Sequence, residues 1–175
     1  MSRNVAYAGK SICHGFGGAV KSFQIMRLPK PVLHDMRPED LDEVMAIEQL
    51  CFPTPWPRQI FEMELKSKRS FKCVSRIGGV VAGYIIGWMI HDEGHILNVA
   101  VHPDFRRMGI GDSLMRECLD HFSEKGAKYA ILEVRHTNTG AQKLYEKLGF
   151  KPIGIRRGYY IDTGEDAIVM MLSMK

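Results

Sequence analysis

Apolar residues recur along the chain with two alternating periods, which is typical of a domain that combines strands with helices. Residues 31–37 predict a first strand. Residues 38–52 then predict a helix, because apolar positions follow a helical period and acidic residues occupy the first turn. The positions near that period are Leu41, Val44, Met45, Glu48 and Leu50 to Cys51. Residues 53–68 predict a second helix that begins after several prolines.

The middle of the chain predicts a hairpin, a third strand of similar type and a long helix. Gly78 and Gly79 separate two strand-like runs, which is a good hairpin signal. Residues 94–105 form another strand-like stretch. After a turn that contains two glycines, apolar residues continue at helical spacing to a predicted stop at Gly126.

The last part of the chain predicts three more strands and one helix. Residues 128–135 predict a short buried strand, and residues 138–150 predict a helix with Gly149 just past its end. The final strands are expected at 151–157 and 166–174, with residues 158–165 as their connector. This order predicts an α/β (α+β) fold in which helices cover both faces of a mixed sheet.

The composition indicates one soluble domain. A chain of 175 residues, 45% of them hydrophobic, can bury roughly 70% of the surface that it exposes when unfolded. The longest apolar run, Gly78 to Ile90, is too short for a membrane span and contains four glycines. The N-terminus lacks the apolar core of a secretory signal, so we expect a cytoplasmic protein that makes no membrane contact.

The positive charge is concentrated at the N-terminus. Residues 1–37 contain six basic residues and one acidic residue, a net charge of +5, whereas the remainder carries −1. We expect residues 1–25 to be a basic, flexible extension and residues 26–175 to be the folded domain, with Met26 as an alternative start. Such an extension could contact RNA or a ribosomal surface. A solvated tail is the favoured explanation, so the sequence gives no firm indication of nucleic-acid binding.

The cysteines and histidines do not predict a metal site. The four cysteines are far apart and form no C-x-x-C pair, so we expect reduced thiols that pack as small hydrophobic groups. His91 and His95 are four residues apart, but they fall in a strand-like stretch where that spacing does not bring two side chains to one ion.

The turn from Arg106 to Gly111 is the first candidate for a chemical role. Two arginines and two glycines precede a predicted helix, where free N–H groups and the helix dipole favour a phosphate. The glycines also have a purely structural explanation, because they permit unusual backbone angles or serve as an N-cap. The pattern lacks the spacing of a P-loop or of a dinucleotide-binding motif.

Three polar residues after this turn are the second candidate. Glu133 lies in an apolar strand, where a carboxylate is either at a sheet edge or has a pKa raised towards use as a general base. Asn138 could simply cap the next helix, and Tyr145 could be an ordinary core phenol. All three follow the glycine-containing turn at spacings suited to a single cleft.

Together these residues resemble the GNAT N-acetyltransferases, and among them the bacterial enzymes that acetylate the N-terminal alanine of ribosomal proteins. The resemblance covers about residues 31–175. The motif Arg106-x-x-Gly109-x-Gly111 is common to the superfamily, whereas LEVR at 132–135 and RRGYYIDTGEDAIVM at 156–170 are more specific. The segment CFPTPWP at 51–57 is similar to a Phe-Pro-x-x-Trp stretch of that family, with small variations.

The resemblance implies the GNAT fold and the roles of particular residues. The fold would have a mostly antiparallel sheet of about six to seven strands, splayed in the middle. Acetyl-CoA would be the donor, and a ribosomal protein N-terminus the acceptor. Glu133 would be the general base and Tyr145 the general acid. The groups that would hold acetyl-CoA are Val99, Ala100, Val101, Arg107, Met108, Gly109, Ile110, Gly111, Asp112 and Asn138. The acceptor would contact Trp56, Tyr159 and Tyr160, the tyrosines lying in the connector.

Other functions are compatible with the same residues. A GNAT enzyme could instead acetylate other protein N-termini, lysine side chains or a small amine. The chain could also be a module that binds acetyl-CoA without catalysis, although Glu133 and Tyr145 would then have no role. A ribosome-associated protein that uses its basic tail is a third possibility.

Overall fold

The computed structural model describes residues 29–174 of the chain. The predicted extension at residues 1–25 and the alternative start at Met26 lie outside this range. The described elements, in chain order, are β1 (Val32–Asp35), α1 (Leu41–Cys51), α2 (Arg58–Lys66), β2 (Ser70–Ile77), β3 (Val80–Ile90), β4 (Glu93–Val101), α3 (Ile110–Glu124), β5 (Tyr129–Arg135), α4 (Thr139–Lys147), β6 (Lys151–Tyr160) and β7 (Glu165–Ser173).

Seven strands form one sheet in the order β1-β2-β3-β4-β5-β7-β6. All neighbours are antiparallel except β4 and β5, which are parallel. The parallel pair is joined by α3, since a crossover connection is needed to bring two consecutive strands into the same direction. The predicted mixed, mostly antiparallel sheet is confirmed.

Helices cover both faces of the sheet, as the sequence predicts. α3 and α4 pack on one face, where Phe122, Leu114 and Met115 of α3 are fully buried and α3 lies over β2, β3 and β4. α1 and α2 pack on the other face, around Val44, Ile47 and other residues of a second buried cluster. The sheet is therefore apolar on both sides over its central strands, which explains the nearly continuous hydrophobic run in β3.

The predicted boundary between the last two strands is wrong. β6 continues through Tyr160 and β7 begins at Glu165, so the turn is limited to residues 161–164. Tyr160 remains paired with Glu165 across an irregularity in the register. Gly158 has a φ of 58°, and its amide donates to the Asp166 carboxylate at 2.8 Å. The chain therefore passes through a bulge at Gly158 and stays in the ladder.

Within the part of the chain that the structure describes, no helix has both the length and the apolar character needed to cross a membrane.

Candidate active site

β4 and β5 run side by side in their first halves and separate in their second halves. Glu93 to Ile96 pair with Tyr129 to Leu132, and within residues 29–174 this is the full extent of their pairing. The backbone of the second half of β4 is therefore open on the side facing β5, which is the splay that the resemblance implies. Two adjoining clefts lie at this opening.

The first cleft, here called the basic cleft, has a volume of about 820 Å³. It lies between the end of β4, the turn before α3 and the beginning of α4. Four basic side chains and one acidic side chain line it, namely Arg106, Arg107, Lys143, Lys147 and Asp112. This excess of positive charge suits an anionic ligand.

The turn that opens into α3 has an unusual backbone. Arg107 has a φ of 66°, and Gly109, which is the N-cap of α3, has a φ of 80°. Successive residues that alternate into the left-handed region are typical of concave groups of N–H donors that bind anions. The first-turn N–H groups of α3, from Ile110 to Asp112, have no acceptor within the helix. The turn thus presents backbone donors and the positive end of the helix dipole to the basic cleft.

The two glycines of this turn serve different purposes. A Cβ atom at Gly109 would meet no atom within 4 Å, so its positive φ is what favours glycine there. A Cβ atom at Gly111 would lie 3.3 Å from the Leu144 side chain, so this glycine lets α3 approach α4 closely. Ile110 is buried in the core and can offer only its backbone, whereas the exposed Met108 is not part of the cleft lining.

Three charged side chains at the basic cleft, those of Asp112, Lys147 and Arg106, are already engaged within the protein. The Asp112 carboxylate accepts from Arg116 at 2.7 Å and from Lys147 at 2.8 Å, and these bonds hold its pKa below the usual range. Arg106 donates to the Val101 carbonyl at 3.3 Å. Arg107 and Lys143 are therefore the side chains most available for a mobile anion, together with the backbone donors.

Only part of the β4 backbone faces the opening. The His102 amide donates to Ala82 of β3 at 2.9 Å. Because antiparallel pairs alternate, the backbone groups of Ala100 also point to β3, whereas those of Val99 and Val101 point towards β5. The Val101 carbonyl is taken by Arg106 and the Cys51 thiol. Both backbone groups of Val99 and the amide of Val101 are then available to a ligand in the cleft.

Val99, Asn138 and Tyr145 line both clefts and so mark their junction. Asn138 is the N-cap of α4, and its side-chain oxygen accepts from the Ala141 amide at 3.2 Å, which confirms the capping role. Tyr145 is 6% exposed and packs near Phe150. Burial, with a smaller contribution from Tyr160, raises the pKa of the Tyr145 phenol above its ordinary value.

The second cleft, here called the acidic cleft, has a volume of about 710 Å³. It lies between the end of α1, the diverging halves of β4 and β5, and the turn between β6 and β7. Four acidic side chains and one basic side chain line it, namely Glu48, Glu133, Asp162, Glu165 and Arg135. The charge at this side of the junction is thus opposite to that of the basic cleft.

Glu133 lies on β5 just beyond the last residue that pairs with β4. Its side chain is 23% exposed and forms an ion pair with Arg156 of β6 at 2.9 Å. A carboxylate in this place is partly hydrated and opens onto the acidic cleft, so it can exchange a proton with a bound amine directly or through a water molecule.

The three predicted acceptor-binding aromatics all line the acidic cleft. Tyr159 and Tyr160 are packed edge to face, with ring centroids 5.1 Å apart. The Arg135 guanidinium lies 3.9 Å from the Tyr160 ring centroid. Burial raises the pKa of Tyr160 to about 12, although Arg135 opposes the shift. Trp56 lies on the opposite wall, packed near Phe61.

An ion-pair network fixes the turn between β6 and β7 over the acidic cleft. Arg135 donates to Asp162 at 2.7 Å and to Glu165 at 2.9 Å, and all three side chains are mostly buried. Thr54, in the segment between α1 and α2, donates to the same Asp162 carboxylate at 2.9 Å. The hydrogen bond from Arg135 is the main cause of the lowered pKa of Asp162, so the network stays intact at neutral pH. The two walls of the cleft are linked through Asp162.

Arg135, Glu48 and Asn98 are site residues to which the sequence analysis assigned no role. Glu48 is 1% exposed, although it lies on the apolar side of α1. A carboxylate at a position where the helical pattern predicts burial is a sequence signal that points to Glu48. Asn98 and Arg135 carry no comparable signal, because their partners come from distant parts of the chain.

For residues 29–174, no group of three or more His, Cys, Asp or Glu side chains is arranged to hold a metal ion.

The chain resembles known proteins over most of its length. The model of the family described as acetyltransferase (GNAT) matches residues 41–150. A relative from Bacillus subtilis (strain 168) is 38% identical over 146 residues, which cover 83% of this chain and 97% of the relative. The ribosomal protein bS18-alanine N-acetyltransferase of Escherichia coli (strain K12) is 36% identical over 135 residues, or 76% of this chain and 90% of that protein.

A solved structure gives the same picture. The crystal structure of the ribosomal-protein-S18-alanine N-acetyltransferase from Escherichia coli has a TM-score of 0.76 and 34% sequence identity. The match covers 83% of this chain and 96% of that structure.

Proposed function

We propose, given that this chain belongs to the acetyltransferase (GNAT) family, that it transfers the acetyl group of acetyl-CoA to the N-terminal α-amine of a ribosomal protein that begins with alanine. The observation that carries the proposal is the junction of two clefts of opposite charge at the open edge of β4. One cleft suits a phosphate-bearing donor and the other suits a cationic amine.

The basic cleft fits acetyl-CoA, which supplies an acetyl group activated as a thioester. The backbone donors from Gly109 to Asp112 and the Arg107 side chain would hold the pyrophosphate. The free backbone groups of Val99 and Val101 would pair with the pantetheine arm. Asn138 caps α4 through its oxygen, which leaves its amide nitrogen to contact that arm.

The acidic cleft supports an α-amine as the acceptor. An α-ammonium group has a pKa of roughly 7.7–8.0, against about 10.4 for lysine, so its deprotonation near neutral pH costs about 3.5 kcal/mol less. One partly exposed carboxylate, Glu133, is sufficient to remove such a proton.

Donors near Val99 and Val101 can stabilise negative charge on the acetyl oxygen during attack. The Tyr145 hydroxyl lies at the junction and is protonated at neutral pH, because its pKa is raised. It can therefore donate a hydrogen bond to the departing sulfur. It is a weak acid for full proton transfer, because the pKa of a phenol is higher than that of the thiol that would be formed.

The acceptor is tested with peptides that differ in their first two residues. Transfer from acetyl-CoA is followed for peptides that begin with Ala, Ser, Met or Gly, and for a peptide with a blocked N-terminus and an internal lysine. We expect the highest kcat/KM for the peptides with Ala first and little transfer to the blocked peptide. Equal transfer to all of them, or preferred transfer to lysine, would contradict the proposal.

A further inference from the structure

Glu48 is a buried carboxylate on the wall of the acidic cleft that no step proposed above uses. It is 1% exposed, and it is held from three sides by neutral groups. The Trp56 amide donates to one carboxylate oxygen at 2.9 Å, the Tyr84 hydroxyl donates to the other, and the Asn98 side-chain amide lies 3.3 Å from both.

These partners match an ionised carboxylate. A backbone N–H and an amide NH₂ can only donate, and an ionised carboxylate can only accept. Proximity to Glu48 is one of the causes, after burial, that raise the pKa of Tyr84, which keeps the phenol protonated and able to donate. The four contacts also occupy both oxygens, so Glu48 is poorly suited to accept a proton from a substrate.

Glu48 differs from the other carboxylates of the acidic cleft in having no cation beside it. Arg156 pairs with Glu133, and Arg135 pairs with both Asp162 and Glu165. Among the described residues, Glu48 has only the three neutral donors as polar partners. An ionised group in a poorly solvated position is costly unless a charge of opposite sign offsets it.

We propose that Glu48 is a specificity-determining residue of the acceptor site, whose negative charge selects an acceptor with a protonated N-terminus. This inference rests on the function proposed above and extends it. Trp56, Tyr84 and Asn98 fix the carboxylate at the cleft wall, and its charge acts through space on a ligand in the cleft. The α-ammonium of the acceptor supplies the missing positive charge, and acetylation removes it. The same charge thus favours binding of the substrate over binding of the neutral acetylated product.

The test compares two ligands in complexes that cannot react. A peptide with a free Ala N-terminus and the same peptide already N-acetylated are each titrated by calorimetry into the enzyme saturated with CoA, at about pH 6.5, where the amine is protonated. We expect the wild-type protein to bind the free-amine peptide about tenfold more tightly or better. Glu48→Gln, which keeps the shape and removes the charge, should weaken only the free-amine peptide and bring the two Kd values together.

Tyr84→Phe is the matched control, because it removes one hydrogen bond to Glu48 and leaves the charge in place. It should retain the preference for the free amine. A second measurement needs no variant: at about pH 9.5 the α-amine is neutral, so the wild-type preference should be lost.

Three results would overturn the proposal: an unchanged preference in Glu48→Gln, an equal loss of affinity for both peptides in that variant, or no preference in the wild-type protein at pH 6.5. An unchanged preference would show that the charge of Glu48 does not affect binding of a ligand in the cleft. The second would show that Glu48 only shapes the wall. Failure of the proposed function is separate, since it would appear as absent acetyl transfer by the wild-type protein to the Ala-first peptide.

Discussion

Glu133 is the residue whose replacement tests the proton-transfer step. Glu133→Gln keeps the size of the side chain and its place beside Arg156, but the amide cannot take up a proton. We expect kcat to fall about 100-fold or more, while the Kd of acetyl-CoA is unchanged. Steady-state kinetics and calorimetry measure the two quantities.

Glu146→Gln is the control, because it makes the same chemical change at an exposed position of α4 that lines neither cleft. This variant should have a normal kcat. A normal kcat in Glu133→Gln would remove Glu133 from the mechanism.

The buried hydroxyl of Tyr145 leads to a prediction about how kcat depends on pH. A phenol is protonated below its pKa, and burial raises that pKa above the ordinary value of about 10. The Tyr145 hydroxyl should therefore stay protonated up to about pH 9.5, and it should cause no alkaline loss of kcat in that range. Tyr145→Phe should lower kcat at every pH without changing the shape of the profile. An alkaline fall in the wild-type profile that disappears in the variant would contradict this.

At the scale of single residues, local pattern located some site groups and missed others. Gly109 belongs to the predicted phosphate turn, and Asn138 and Tyr145 follow it at spacings suited to one cleft; all three line the basic cleft. Glu48 falls on a helical period that predicts burial, but its partners Tyr84 and Asn98 come from β3 and β4. A pattern within one helix cannot indicate which distant donors will surround a buried charge.

At the scale of elements, the phosphate-binding role of the turn before α3 can be tested by comparing the glycines at the two ends of this helix. Gly109 and Gly126 flank this helix with φ values of 80° and 82°, and a Cβ atom at either would meet nothing within 4 Å. Replacement of either by alanine should cost about 1 kcal/mol of stability, because the strain is the same. Only Gly109→Ala should weaken CoA binding, since only Gly109 lines the basic cleft.

Thermal unfolding and CoA calorimetry on both glycine variants make this comparison. Equal loss of CoA affinity in Gly109→Ala and Gly126→Ala would indicate a general effect of stability, and unchanged affinity in both would count against the turn as the phosphate site.

The order of strands and helices follows from periodicity, and the end of β6 does not. The sequence predicted a connector at residues 158–165, yet β6 extends through Tyr159 and Tyr160, because Tyr160 pairs with Glu165 and the Gly158 amide donates to Asp166. Ladder pairing between strands outweighed the local turn signal. The difference matters for the site, because a paired strand holds these aromatics more rigidly than a loop would.

At the scale of the whole molecule, the clefts are built from one continuous part of the chain. Among residues 29–174, every residue that lines either cleft lies between positions 48 and 165. Deletion of residues 1–25 is therefore expected to leave kcat/KM for an Ala-first peptide within about twofold of that of the full chain. A twofold change corresponds to less than about 0.5 kcal/mol of transition-state stabilisation. A large loss in the shortened protein would place the basic N-terminal segment in the acceptor site.

The opposite charges of the two clefts explain how one junction can hold two substrates of opposite charge. Basic side chains and backbone donors line one of the two clefts that share Tyr145, and four carboxylates line the other. This separation arises only in the folded chain, because the acidic residues come from α1, β5, the turn between β6 and β7 and the first residue of β7.

The central claim is that the amine acetylated at this junction is an α-amine. The most direct measurement offers the enzyme one peptide that has both a free Ala N-terminus and an internal lysine, with acetyl-CoA as the donor, and locates the added group by fragment mass spectrometry. We predict that the acetyl group is found on the N-terminal nitrogen and that the lysine stays unmodified at early times. Acetylation of the lysine first, or of neither amine, would contradict the account.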